Sequence, residues 1–300
     1  IATGLTANAL FNDAFTNLTS LPVNVIYTVV PVSAAGCEGE SFTVTVTVNP
    51  EPIVANQVLP ICSDVALGLT LGNDIDGPSA VTYNITNINS NGLTASAGSP
   101  IVANNVLSNE LVNDAWTNTT SLPVDVVYTI VPVSAVGCSG NPFTVTVTVN
   151  PEPVVANQTV TMCSDLPLGL VLGNDSNGPN VVSYNITNIN SNGLTASGGA
   201  PVVANGINSN ELIDDAWRNL GNTAINVVYT VVPVGQNGCL GNSFTVTATI
   251  NSEPVVTNQT ITICSDAALG VNFNSSSSVG ATSYNVTNLQ LNGLVVSAGG

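Results

Sequence analysis

Six cysteines are the residues whose type and spacing most plainly allow chemistry in this 300-residue chain. They form two series of one period. Cys37, Cys138 and Cys239 stand 101 residues apart, as do Cys62, Cys163 and Cys264. No histidine accompanies them, so Cys–His catalysis and histidine-bearing zinc sites are excluded. Disulfide formation remains. A Cys37–Cys62 bond would close 25 residues and cross a Pro-Glu-Pro segment, whereas Cys62–Cys138 closes 76. If the first strand of a sandwich starts at the pole of its last hairpin, Cys62 and Cys138 share that pole. A cross-joint bond would then reach back over an eight-residue strand, roughly 25 Å. A disulfide needs Cα atoms within about 7 Å. The expected pairs are therefore Cys62–Cys138 and Cys163–Cys239, each stabilising by roughly 4 kcal/mol through loop entropy. Cys37 and Cys264 are expected to pair outside these 300 residues. The competing reading is a set of buried free thiols. Regular pairing points to an oxidising compartment.

Other candidates are weaker. "GNDIDGP" (72–78) and "GNDSNGP" (173–179) place the hard oxygen donors Asp74, Asp76 and Asp175 before a glycine, as calcium loops do. The downstream bidentate glutamate is missing, and the third copy reads "NFNSSSSVG". A polar turn is the better reading, and calcium is the one cofactor considered. Asp64, Asp165 and Asp266 follow a cysteine in each "CSD", and Asp13, Asp114 and Asp215 recur before an aromatic. Capping of turns explains both sets more cheaply than catalysis. Phe15, Trp116 and Trp217 share one position. An aromatic there could stack on a sugar, but a core plug is the stronger reading. Asn-X-Thr sequons begin at Asn17, Asn84, Asn118, Asn157, Asn185, Asn258 and Asn285, and would accept glycans only in a eukaryotic secretory path.

Composition removes whole classes of function. The net charge is −17, yet only 6% of residues are charged and 44% are hydrophobic, enough for several cores. Lysine is absent and Arg218 is the sole basic residue. A nucleic-acid footprint is therefore excluded, as is a phosphate loop built on lysine. No run of 18 apolar residues spans a membrane in this segment. No constellation supports an enzyme.

The elements that must position these residues repeat with the cysteines. "NDAF" at 12, "NDAW" at 113 and "DDAW" at 214 keep the same register, as do Tyr27, Tyr128 and Tyr229. A period of 101 is domain-sized, so each copy should own a core. Phe143-Thr-Val-Thr-Val-Thr-Val149 alternates strictly, which is a half-buried strand. Residues 124–133 form a nearly all-apolar and hence central strand. Residues 158–163, 168–173, 181–189 and 193–199 read as further strands, and 108–116 as one or two helical turns. The expected fold is all-β: tandem Ig-like Greek-key β-sandwiches of about 101 residues, with one short helical turn per repeat. Boundaries fall at "NPEP" and "NSEP", stiff joints rich in proline. Residues 1–50 are then the C-terminal part of a repeat, 51–151 and 152–252 are complete repeats, and 253–300 are an N-terminal part. The chain is expected to be a window on a longer array.

The phrase "VVYTIVPVSAVGCSGNPFTVTVTVNPEPVV…CSD" resembles the PKD-like repeats of very large cell-surface proteins in Bacteroidota, and the resemblance runs through all three phases of the repeat. No "WDFGDG"-type motif of ordinary PKD domains appears. Many such relatives are gliding or surface adhesins exported by the type IX secretion system. The resemblance therefore implies an extracellular, cell-surface location. It implies a structural segment of a long filament or stalk, a disulfide-stapled spacer rather than an enzyme. The alternative is a glycan- or surface-binding module presenting loop faces in each repeat. The implied partners are neighbouring repeats of the same chain, and identical chains in a fibre or sheath.

Overall fold

The structure, a computed structural model, describes residues 2–72, 74–173, 178–273 and 278–298, with Asp74 described by its backbone alone. The chain divides into two compact units, residues 1–151 and 152–300. Each contains one complete repeat.

The first complete repeat holds nine strands. They are β3 (Ile53–Val54), β4 (Gln57–Cys62), β5 (Asp74–Asp76), β6 (Ala80–Asn89), β7 (Thr94–Ala97), β8 (Ala103–Val106), β9 (Ala115–Thr117), β10 (Val124–Ser134) and β11 (Phe143–Asn150). The main sheet has the order β4-β11-β10-β6-β8, and β7 pairs with β9 in a small second sheet. The second repeat reproduces all of these but β3 and β5 with β12 (Gln158–Cys163), β13 (Ser183–Asn190), β14 (Thr195–Gly198), β15 (Ala204–Ile207), β16 (Ala216–Arg218), β17 (Ile225–Val234) and β18 (Phe244–Asn251) among the described residues. Its main sheet runs β12-β18-β17-β13-β15. This is the expected all-β sandwich.

The strands follow from their residues. In β11, Phe143, Val145, Val147 and Val149 are buried, while Thr144, Thr146 and Thr148 sit half-buried on the other face. Strand β10 lies between β11 and β6, as its apolar run requires. Its Pro132 lies beyond the β11 pairing, which ends at Ile130, so no ladder donor is lost there. The hairpin takes over on that side, where Gly140 N–H donates to the Pro132 carbonyl at 2.9 Å. The core joins Leu67, Leu71, Tyr83, Ile85, Leu111, Val126, Tyr128 and the inward face of β11. A matching core fills the second repeat.

Two segments differ from the strand-by-strand expectation. Residues 168–173 form no strand, nor does the equivalent 67–72. They are irregular because Gly68 and Gly169 adopt positive φ, and Leu67 and Gly68 donate instead to the carbonyls of Asp114 and Val112. Residues 108–113 are a succession of turns, closed by Val112 N–H to Asn109 and Asp114 N–H to Leu111. The one helical element among the described residues is a 3-10 turn at Gln236–Gly238.

In the first unit, β1 (Val23–Val29) and β2 (Phe42–Val48) pair in the same register as β10 and β11. Yet Val46 is 39% exposed, where its counterpart Val147 is fully buried. Residues 253–298 form no strand among those described.

Candidate functional site

The best-built polar cluster lies under the second sheet. Trp116 Nε1–H donates to the Tyr128 hydroxyl at 2.9 Å, and that hydroxyl donates to Asp114 Oδ2 at 3.0 Å. The Ser99 backbone N–H also donates to the Asp114 carboxylate. The second repeat repeats the chain at 2.8 and 2.9 Å through Trp217, Tyr229 and Asp215. All six side chains are buried. Burial raises the Asp114 carboxyl above its ordinary range and pushes Asp215 up to about 6, with Tyr128 and Tyr229 partly opposing the shift. Burial, then the adjacent carboxylate, raises both tyrosines as well. Each indole N–H and phenol is satisfied, as buried polar groups require. Trp116 and Trp217 are thus core plugs, with no face open to a sugar, whereas Phe15 at the same position is 46% exposed.

A second cluster anchors the "CSD" turn. Asp64 adopts a left-handed conformation (φ 60°) and its N–H donates to the Trp116 carbonyl. Its Oδ1 accepts from Thr117 Oγ1 at 2.6 Å, the leading cause of its lowered pKa. In the next repeat Arg218 takes the threonine's place, with Nε 3.6 Å from Asp165 Oδ2 and 4.0 Å from Glu253 Oε1. Ser63 Oγ accepts from the Asn118 N–H at 2.9 Å. Asn118 then closes the site: Nδ2 donates to the carbonyls of Leu122 and Val149, and Oδ1 accepts from Thr120 N–H and Oγ1. Asn219 and Ser164 form the equivalent site. Sequence reasoning missed this role. Its signal was the 101-residue recurrence of Asn17, Asn118, Asn219 and of Ser63, Ser164, Ser265.

The cysteines require a correction. The pairs Cys62–Cys138 and Cys163–Cys239 do not form. Cys138 and Cys163 are free thiols, while Cys62 and Cys239 are disulfide-bonded. The reason is strand direction. Strand β4 runs parallel to β11, with Gln57 opposite Val145 and Cys62 opposite Asn150. Cys62 therefore lies at the pole where β11 ends, whereas Cys138 lies in the hairpin that precedes Phe143. Eight residues of strand, roughly 25 Å, separate those poles. The second repeat repeats the geometry, with Cys163 opposite Asn251. Cys37 and Cys264 are exposed free thiols.

A match to the PKD-like domain family covers residues 2–52, 60–153 and 196–254, more than half of the chain. The chain belongs to the PKD-like domain family. A search of curated proteins finds no match. Among solved structures it is similar to human protocadherin-24 EC1-2, at 16% identity over 69% of this chain and 100% of that one, with a TM-score of 0.28. It is also similar to the fibronectin(III)-like modules of Clostridium thermocellum CbhA, at 11% identity over 66% and 91%, with a TM-score of 0.26. Scores this low carry no functional argument.

The remaining candidates fall in different parts of the PKD-like repeats. Asp76 is exposed and its Oδ1 accepts the Gly77 N–H at 2.8 Å. Asp175 and the side chain of Asp74 lie outside the described residues. No group of three metal-ligating side chains occurs among the described residues. Of the sequons, Asn118 is buried with both amide hydrogens engaged. Asn84 and Asn185 are half-buried, and their Oδ1 atoms accept the backbone N–H of Asn105 and Gly206. Asn157 is exposed while accepting the Thr245 N–H, and Asn258 is exposed. No helix among the described residues is long and apolar enough to cross a membrane.

Proposed function

We propose that this chain is a structural segment of a long extracellular filament or stalk on a bacterial surface adhesin, in which each PKD-like repeat is a semi-rigid spacer. One observation carries the reading: the polar clusters that recur are built into the fold of each repeat. Asp114, Tyr128, Trp116, Ser63 and Asn118 tie strands and turns together through hydrogen bonds within the repeat. Tandem copies joined by proline-rich segments support the same reading, as does membership of the PKD-like family. The resemblance to giant Bacteroidota surface proteins supports reading the proposed filament as one of the type IX-secreted gliding or surface adhesins. Repeat boundaries are proposed at 51–151 and 152–252. The proposed partners are neighbouring repeats of the same chain and identical chains in a fibre or sheath.

The test is electron microscopy of chains with three, six and nine periods. An extended, beaded rod whose length grows in proportion to copy number is expected, at about 35 Å per repeat. Compact or irregular particles would reject the spacer reading. Glycan-array binding that a single repeat retains in full would favour a binding module instead.

A further inference from the structure

The edges of the two main sheets are not alike. Strands β8 and β15, at one edge of each sheet, are four residues long, shift register against β6 and β13, and carry Asn105 and Gly206 at positive φ. Short, bulged strands of this kind template a neighbour poorly. Strands β4 and β12 form the other edges, and their single sheet neighbours are β11 and β18. One bond in each fixes which way the backbone faces. Ser164 N–H donates to the Asn251 carbonyl at 2.9 Å, and Ser63 N–H to the Asn150 carbonyl at 2.8 Å. Successive residues of a strand turn their N–H and C=O groups to opposite sides. In β12, Val160 and Met162 therefore face β18, while Thr159, Thr161 and Cys163 turn their backbone groups outward. In β4 the outward positions are Val58, Pro60 and Cys62. Pro60 has no N–H, so the middle donor of that edge is missing. Thr161 stands at the equivalent place in β12 and keeps its donor. Thr159, Thr161 and Cys163 are also exposed. Of the four edges, β12 is the one that combines six residues with a full set of outward donors.

Charge says what can lie against this edge. The five strands of the second repeat's main sheet contain no charged residue, whereas β10 in the first contains Asp125. Copies of a chain with net charge −17 repel one another, so they meet where the contact is neutral. A basic partner would be drawn instead to Glu211, Asp214 and Asp215, in the turns after β15. We propose that β12 is a docking edge for the β12 of a second copy of this chain. The two edges pair antiparallel about a two-fold axis through Thr161, which closes the contact as a dimer. Thr161 then faces Thr161 of the second copy, and Thr159 faces Cys163. Three outward-facing residues on each side supply about six backbone hydrogen bonds. The two five-stranded sheets become one continuous sheet. In the first repeat, Pro60 closes the same route. This inference rests on the proposed association of identical chains and names the edge that they share.

The test is hydrogen exchange of the 300-residue chain at increasing concentration, read by mass spectrometry beside sedimentation velocity. As concentration rises, the chain should dimerise and the peptide covering 158–163 should lose exchange, while the peptide covering 57–62 should not change. The Thr161→Pro chain should stay monomeric where the parent dimerises. It should fold, because Pro60 holds that position in β4, and an unchanged near-UV circular dichroism spectrum checks this. A parent chain that stays monomeric throughout would overturn the proposal. Dimers that leave 158–163 exchanging freely, or that survive Thr161→Pro, would overturn the edge while the association of identical chains stood. Protection of 158–163 that is the same at every concentration would mean that a segment of the same chain covers the edge, and would overturn the proposal as well.

Discussion

At the scale of single residues, the Trp–Tyr–Asp chain ties stability to pH. Folded Asp215, at about 6, holds its proton to a higher pH than the unfolded chain, whose aspartates titrate near 3.8. Its contribution is therefore complete below about pH 4 and is lost as pH rises through about 6. Urea titrations of the second repeat should show stability falling across that window, and Asp215→Asn should flatten the profile. Tyr128→Phe tests the first repeat. It leaves the Trp116 N–H and the Asp114 carboxylate buried without their shared partner, a cost of about 1–3 kcal/mol. The urea midpoint should fall with an unchanged slope. Asn118 gives a third outcome. Secreted from a eukaryotic host, the chain should carry no glycan at Asn118, read by peptide mass, because its amide hydrogens are held by Leu122 and Val149.

At the scale of elements, the hairpin between β10 and β11 is fitted to the joint that precedes its repeat. A Cβ on Gly140 would collide with the carbonyl oxygen of Pro52, as one on Gly241 would with that of Pro153. Gly140→Ala should cost about 1–3 kcal/mol through overpacking, measured as a lower thermal midpoint of the first repeat. That close approach explains the glycine two residues after the hairpin cysteine at Gly140 and Gly241. The strands themselves were legible because alternation is a local signal, as the threonines of β11 show. Whether the first strand runs parallel or antiparallel to the last is not local. Nothing in "QVLPIC" states that it will lie beside "VTVTVN" in the same direction. The cysteine pairing was misassigned on that point alone. The Leu-Gly-Leu segments misled for a related reason: their buried leucines mimic a strand, while Gly68 and Gly169 turn the backbone out of the ladder.

At the scale of the whole molecule, each complete repeat has a core of its own, with residues from 54–149 in one and 155–250 in the other. Leu111→Ala, at a fully buried position, should cost about 2–5 kcal/mol in the first repeat and leave the second unchanged. Calorimetry should then resolve two transitions, with Trp116 and Trp217 reporting one each. The members of the two cores stand 101 residues apart, as Val54 and Val155 or Leu111 and Leu212 do, and that period was legible in the sequence. The parallel pairing of the first and last long strands has a mechanical meaning as well. A pull on the two ends of a repeat acts on β4 and β11 in opposite directions along their common axis. The hydrogen bonds that join Gln57–Cys62 to Val145–Asn150 lie across that axis and are loaded together, in shear. An antiparallel terminal pair would open one bond at a time, like a zipper. A repeat wired in this way yields abruptly under tension, and a tether made of such repeats resists drag until a whole domain gives way.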